Sequence, residues 1–331
     1  MTGYTVRFAN IDDIPEIMKF IDENWKKGHI LAKDRTLFEW QYLNEKGLNM
    51  VVGEDENHML QGILGYIPYA NGENKDLSLA LWKAKNGTAF LGVKLLMFLI
   101  KEEPHRYVFC NGINLNTTEG IYHRLGFKTG KLKQWYRLCD YPEYKIAKIE
   151  KKAIPNVNVT SEVRLVKTEV YEELKSNASE KMFDTGKTPY KSESYISKRY
   201  FAHPVYEYNV YGLENESGKF DAAIVFRIQE CNGAKALRII DFIGEYSQIY
   251  HITKQIEEIA KECGAEYIDI YEKGLDDNCL MEAGWQLVGA DENIIPNYFA
   301  PYTQCNVDIN ICTTDENIFI FKGDGDQDRP N

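Results

Sequence analysis

Basic residues are in short supply: 39 Lys and Arg stand against 50 Asp and Glu, a formal net charge of −11 over 331 residues. Nucleic-acid binding by general phosphate neutralisation needs clustered cations, and this balance excludes it as the main activity. Long apolar runs are missing too. The longest, Phe90 to Ile100, is interrupted by Gly92 and Lys94 and falls short of the roughly 20 residues a membrane-spanning helix needs. Met1 to Val6 shows no basic stretch leading into an apolar one, so no secretory leader is expected. Histidine is scarce, and His203 and His251 stand singly, without metal-ligand spacing. Seven cysteines (Cys110, Cys139, Cys231, Cys263, Cys279, Cys305 and Cys312) contain no C-x-x-C pair. That pattern points to reduced thiols, with neither a disulfide frame nor a zinc site. Cytoplasm is the expected compartment, and no metal is expected. Neither a G-x-S-x-G elbow nor a P-loop occurs, so serine-hydrolase and P-loop chemistry find no support.

What is present suffices for two cores. Hydrophobic residues make up 44% and charged residues 27%, ordinary for a globular chain, and the length suits two domains of about 150–170 residues. In the first half, Tyr4 to Phe8 alternates as a strand does. Ile14, Ile17, Met18 and Ile21 then recur at helical spacing behind a polar start at Asn10, Asp12 and Asp13. A second helix is predicted near Thr36 to Asn44, with strands over Met50–Gly53, Gly62–Ile67 and Leu77–Trp82. A glycine-containing loop leads to an apolar helix from about Ala89 to Lys101. Tyr107–Cys110 reads as a strand, Asn116–Leu125 as a short helix ended by Gly126, and Trp135–Leu138 as the last strand. The order β-α-α-β-β-β-α-β-α-β indicates a mixed α/β sheet flanked by helices.

A linker without clear periodicity, Ile146 to Val159, places a boundary near residue 150, dividing the chain into 1–146 and 155–331. The second half repeats the first in order and interval. Gly62–Ile67 is echoed by Ala222–Arg227, Leu77–Trp82 by Leu237–Phe242, and Leu125-Gly126-Phe127 by Ala283-Gly284-Trp285. Recurrence in the same order indicates a duplicated fold. Asp324-Gly325-Asp326-Gln327-Asp328 starts like a calcium loop but lacks the later bidentate Glu, and reads as a solvated tail.

The strongest local signature is Asn114 to Phe127, NLNTTEGIYHRLGF. It resembles the GNAT acyltransferase segment in which an Asn closes the fifth-strand region and a short helix carries a Tyr four residues before Gly-Phe. The resemblance covers about Thr5 to Leu138 well and 160–290 faintly. It implies two tandem GNAT-like folds and an acetyl-CoA (or other short acyl-CoA) co-substrate. The tandem arrangement is similar to acyltransferases of bacterial surface-polysaccharide pathways, which implies a nucleotide-linked amino sugar as acceptor.

Carried over by resemblance, Tyr122 would protonate the departing CoA thiolate, as a phenol within about 3 Å can, with Asn114 beside it. The alternative is an aromatic core residue at helical spacing. The pyrophosphate would lie on backbone N–H groups at a helix start, here Gly87, Thr88, Ala89, Phe90, Leu91 and Gly92, with Trp82, Lys83, Lys85 and Asn116 nearby. The family pattern Q/R-x-x-G-x-G/A is met imperfectly, so an ordinary strand-to-helix turn remains the other reading. Glu39 is the candidate base among Glu119, His123 and Asp241, and Trp40, Tyr42 and Asp241 are candidate acceptor contacts. Half two has Leu280 where half one has Tyr122, and Glu245 in its matching loop, so only the first half is expected to be catalytic. Two rivals stay open: an aminoacyl-tRNA-dependent ligase of cell-wall type, and a non-catalytic binding protein with two degenerate folds.

Overall fold

The structure, a computed structural model, describes residues 3–88, 90–157, 159, 163–184 and 186–330. The first half runs β1 (Thr5–Phe8), α1 (Ile14–Asn24), α2 (Arg35–Tyr42), β2 (Met50–Glu54), β3 (Leu60–Pro68), β4 (Leu77–Ala84), α3 (Leu91–Glu102), β5 (Val108–Asn111), α4 (Leu115–Arg124), β6 (Lys128–Lys131) and β7 (Lys133–Leu138). The second half runs β8 (Arg164–Thr168), α5 (Tyr171–Asn177), α6 (Glu193–Ile196), β9 (Asn209–Glu214), β10 (Phe220–Cys231), β11 (Ala234–Gly244), α7 (Thr253–Cys263), β12 (Ala265–Lys273), α8 (Asp277–Glu282), β13 (Gln286–Leu287), β14 (Asn310–Thr313) and β15 (Ile320–Phe321).

Two mixed sheets result, in the orders β1-β2-β3-β4-β5-β14-β6 and β8-β9-β10-β11-β12-β7-β13, with β15 added to β12. In each sheet the fourth and fifth strands are parallel, and a helix links them. The internal repeat read from the sequence is visible in detail: β3–β4 slips register at Leu64/Gly65, and β10–β11 slips at Val225/Phe226.

The sheets exchange one strand each. β7, expected as the last strand of the first half, pairs with β12 and β13 of the second sheet, while β14 lies between β5 and β6 of the first. The polar side chains of β7 explain its choice. Gln134 Nε2 donates to Asp269, Trp135 Nε1 to Glu272 and the Arg137 guanidinium to Glu257, all in the second half. Each sheet therefore draws strands from both sides of residue 150: β7 precedes it and joins the second sheet, and β14 follows it and joins the first.

Helices α1 and α2 bury Ile17, Phe20, Leu37, Phe38 and Tyr42 on one face of the first sheet, and α3 buries Leu91, Leu95, Leu96 and Leu99 on the other. Each such side chain contributes about 1.5–3 kcal/mol on burial. Gly65 lets α2 sit close, because a Cβ there would lie 2.8 Å from the Tyr42 ring.

The acidic tail is the largest correction. Asp324, Asp326 and Asp328 are buried. Asp324 accepts from Tyr69 Oη (3.0 Å) and Phe321 N (2.7 Å), Asp326 from Arg329, and Asp328 from Tyr208 Oη and Arg227. Burial alone would raise the Asp328 carboxyl, but Arg227 and Arg199 hold it below the usual range. Paired and hydrogen-bonded, the run threads the interior between the two sheets.

Glu272 gives a pH test of this interior. It accepts Trp135 Nε1 and Leu275 N, each at 2.9 Å, and burial pushes its carboxyl up to about 7 from an ordinary 4.5. A raised folded value means its contribution is complete below about 4.5 and is lost as pH rises through about 7. Relative to Glu272→Gln, the wild-type unfolding free energy is expected to fall by about 3 kcal/mol across that window. Urea melts at pH 4.5, 6 and 7.5 check this, and identical pH slopes for the two proteins would refute it.

Candidate functional site

β4 pairs with β5 only over Leu77–Leu79, so beyond that point its edge toward β5 has no strand partner. Trp82 stands on this stretch, half-buried, and donates Nε1–H to Gly92 O (3.2 Å) at the start of α3. Its ring meets the Tyr122 ring edge-on at 5.6 Å, and Phe127 closes on Tyr122 from the other side at 5.3 Å. Trp82, Gly92 and Tyr122, chosen from separate stretches of sequence, are thus brought together. Tyr122 itself is 1% exposed. Burial, then the neighbouring Cys110 and Cys312 thiols, push its phenol well above the ordinary value, so it stays protonated.

The loop before α3 carries Gly87 at φ +85° and Phe90 at φ +62°. Glycine is at ease there, but phenylalanine is uncommon and strained. Phe90 is also 79% exposed. Thr88 Oγ1 donates to Lys85 O (2.6 Å), which tightens the loop, and Leu91 is buried. No side chain caps α3, and its first turn holds no acidic residue. Lys83, Lys85 and Lys94 have no ion pair among the described residues; Lys85 and Lys94 lie over the Phe20 and Tyr4 rings. Ala89 falls outside the described residues.

An uncapped helix start carries positive partial charge and unpaired N–H groups, which together with Lys94 in the first turn favour an anion. The matching place in the second half is closed. Glu245 caps a 3-10 turn over Tyr246–His251, Trp285 Nε1 donates to Thr253 Oγ1 at the head of α7, and Leu280 is buried. Gly323 N donates to Ile240 O (2.7 Å), and β15 pairs with the end of β12, so the chain's own segment occupies the gap beside β11.

The remaining expected residues scatter. Asn114 is the N-cap of α4, accepting from Asn116 N (3.1 Å), and both are exposed. Glu39 is paired with Arg35 at 2.7 Å along α2. Tyr42 is fully buried and accepts from Gln41 Nε2. Asp241 is fully buried in an ion pair with Lys191 and a hydrogen bond from Tyr200, so it presents nothing to a ligand. His123 Nε2 lies 2.9 Å from Thr129 Oγ1 on the surface.

Trp40 lines a cavity of about 770 Å³ at the opposite end of β4 from the α3 start. Its wall also draws on the stretches 8–9, 41–49, 66–75, 102–104 and 192–199, though not on every residue of them, and on Gly325. Sequence reading did not mark Lys198, Glu73 or Gly325 as site residues. No local motif distinguishes them, and only the fold brings them together. Gly325 packs where β4 meets β5: a Cβ there would lie 2.7 Å from Ser78 Oγ and 3.7 Å from the Asn111 side chain. Ser78 Oγ and Asn111 Oδ1 are buried without a partner among the described residues. No group of His, Cys, Asp or Glu that could hold a metal occurs among the described residues, and none of their helices is long and apolar enough to cross a membrane.

No protein-family model and no curated protein matches the sequence. Solved structures do match. A GCN5-related N-acetyltransferase from Anabaena variabilis superposes with a TM-score of 0.59 at 9% identity, over 94% of this chain and 72% of the other. A conserved protein of unknown function from Enterococcus faecalis, described as a probable N-acyltransferase, gives 0.55 at 11% identity over the same shares. The fold of this chain is the GNAT fold, built as two mixed sheets that exchange a strand.

Proposed function

We propose that the protein is an acyl-CoA-dependent N-acyltransferase whose first half does the chemistry. The observation that carries this reading is the uncapped start of α3, with Lys94 and no acidic residue in its first turn, beside the stretch of β4 past Leu79 that has no strand partner on the β5 side. The second half has the same elements with that place filled, which leaves one working site per chain. The two GNAT-fold neighbours, one named an N-acetyltransferase and the other a probable N-acyltransferase, support the assignment.

In the reaction, the CoA phosphates rest on the α3 start and the thioester lies along β4. The amine nitrogen attacks the thioester carbonyl carbon and the C–S bond breaks. The nitrogen gives up a proton to water or a base, and the thiolate takes one from Tyr122. Tyr122 is buried against Trp82 and Phe127, with the Cys110 and Cys312 thiols beside its phenol, so its hydroxyl meets the sulfur only when this packing opens. An amino sugar, including one carried on a nucleotide, is the first acceptor class to test.

Titration of the protein with acetyl-CoA by calorimetry and thermal shift is expected to show saturable binding at one site. Ligand at 100 times Kd should add about 2.7 kcal/mol of apparent stability. Tyr122→Phe should leave that affinity intact and lower kcat by roughly 100-fold or more. Absence of binding by any short acyl-CoA would overturn the reading. Unchanged turnover in Tyr122→Phe would make Tyr122 a packing residue.

A further inference from the structure

The 770 Å³ cavity has a charged lining. On one wall, Lys198 reaches into the space with no ion pair among the described residues, its ammonium 5.7 Å from the centre of the Trp40 ring. The Arg199 guanidinium stands 5.9 Å from the same ring, and Arg199 is 7% exposed. Arg199 donates to the carbonyls of Gly323 and Asp328, yet its Nε–H and the Trp40 Nε1–H are both buried without a partner. Unmatched buried donors cost about 1–3 kcal/mol each, but both are shut off from the cavity itself, so the charged donor that this wall offers a ligand is the Lys198 ammonium. Enclosure by protein, without any counter-charge, holds the Lys198 ammonium below its ordinary value.

Elsewhere the lining carries Glu45, Glu73, Glu102 and Glu103 together with Lys46 and Lys75. Glu103 takes Lys75 at 2.7 Å and Tyr66 Oη at 3.1 Å, while Glu73, on the loop that carries Lys75, has no ion pair among the described residues. The inner end of the cavity is Gly325, packed on Ser78 and Asn111 where β4 and β5 part. Successive strand residues point to opposite faces. Cys110 lies beside Tyr122, so Asn111, the next residue, faces away from it and toward Gly325. The Gly325 end of the cavity therefore lies on the face of the sheet opposite Tyr122.

We propose that this cavity is the acceptor site, and that the acceptor is an amine that also carries a carboxylate or phosphate, with the anion on Lys198 and the ammonium held by Glu73 and Glu103. A neutral or purely cationic amine would leave Lys198 unmatched, and a simple anion would leave Glu73 unmatched. The catalytic part rests on the acyl-transfer reading above. The binding part does not.

The test is calorimetry on the full chain without acyl-CoA, using four probes. Glucosamine 6-phosphate carries amine and phosphate, muramic acid amine and carboxylate, glucosamine the amine alone, and glucose 6-phosphate the phosphate alone. At least one of the first two is expected to bind tenfold or more tighter than either of the last two, and which one binds identifies the anion. Lys198→Gln should remove that tenfold gain while glucosamine binding and the melting temperature stay unchanged. Glu73→Gln, at an exposed position, should weaken both amine-bearing anions and spare glucose 6-phosphate. Equal affinity for all four probes, no binding by any, or full retention in Lys198→Gln would overturn the proposal. Zwitterion binding in a protein that ignores acyl-CoA would refute the acyl-transfer reading and leave this site standing.

Discussion

Replacing Lys191 by methionine is expected to lower the unfolding free energy by about 3–5 kcal/mol, the cost of breaking a buried ion pair by removing one partner. The Lys191 ammonium bonds Asp241 and lies 3.0 Å from Asp324, and all three side chains are within 2% of complete burial. Tyr200 donates to Asp241 and Tyr69 to Asp324. Asp241 belongs to β11 of the second sheet, Asp324 to the threaded segment, and Tyr69 follows β3 of the first sheet, so one ammonium ties three parts of the chain. Burial opposes its charge, but the two carboxylates hold its pKa well above the ordinary value. Two acids share one base, and burial pushes the Asp241 carboxyl up to about 6 even with Lys191 beside it.

The sign with pH follows from that raised value. The Asp241 contribution is complete below an ordinary 3.8 and is lost as pH rises through about 6. Without Lys191 the Asp241 carboxyl loses the charge that favours its ionised form, so the deficit of the variant should grow from pH 4 to pH 7. Asp241→Asn removes the excess negative charge and keeps one acceptor, so it should cost much less than Lys191→Met. Urea unfolding of both variants at pH 4.5 and 7 decides. A loss below about 1 kcal/mol in Lys191→Met, or equal losses in the two, would mean that the charges are not what holds this region.

Much of the fold was legible because it is written in short-range periodicity. Ile14, Ile17 and Ile21 mark α1, and Leu91, Leu95, Leu96 and Leu99 mark the buried stripe of α3 as surely as they fill it. The pairing of β4 with β11 as equivalents was legible because both halves keep the same order of elements. The strand exchange was not. A strand of four to six residues can pair with any free edge, and β7 is assigned by Asp269, Glu257 and Glu272, which lie more than a hundred residues further along. β14 carries no local mark beyond Ile311 and Cys312. The acidic tail misled for a related reason: Asp326 has Arg329 three residues on, but Tyr69, Lys191, Tyr208 and Arg227, which hold Asp324 and Asp328, are all remote. In the site, Trp82, Gly92 and Tyr122 were marked by motif and meet in space. Lys198 was invisible, since its significance is the lack of an ion-pair partner inside a cavity built by six separate stretches of chain.

Phe90→Asp should separate folding from binding at the α3 start. The position has φ +62°, which aspartate tolerates better than an aromatic residue does, and 79% of the phenylalanine is already exposed. A carboxylate beside a helix N-terminus is favourable by about 0.3–1 kcal/mol, so the melting temperature should hold or rise. The same carboxylate would face the CoA phosphates across a few ångströms. At an effective dielectric near 20, a single such contact costs several kcal/mol before salt screening, so acetyl-CoA affinity should fall by roughly 100-fold. Raising the salt concentration should recover part of the loss. Phe90→Asn supplies the shape and the backbone preference without the charge, and should retain affinity within a few fold of the wild type. Equal losses in the Asp and Asn variants would assign the effect to the missing aromatic ring and remove the phosphates from this place. Wild-type affinity in Phe90→Asp would take acyl-CoA away from the first half's helix start altogether.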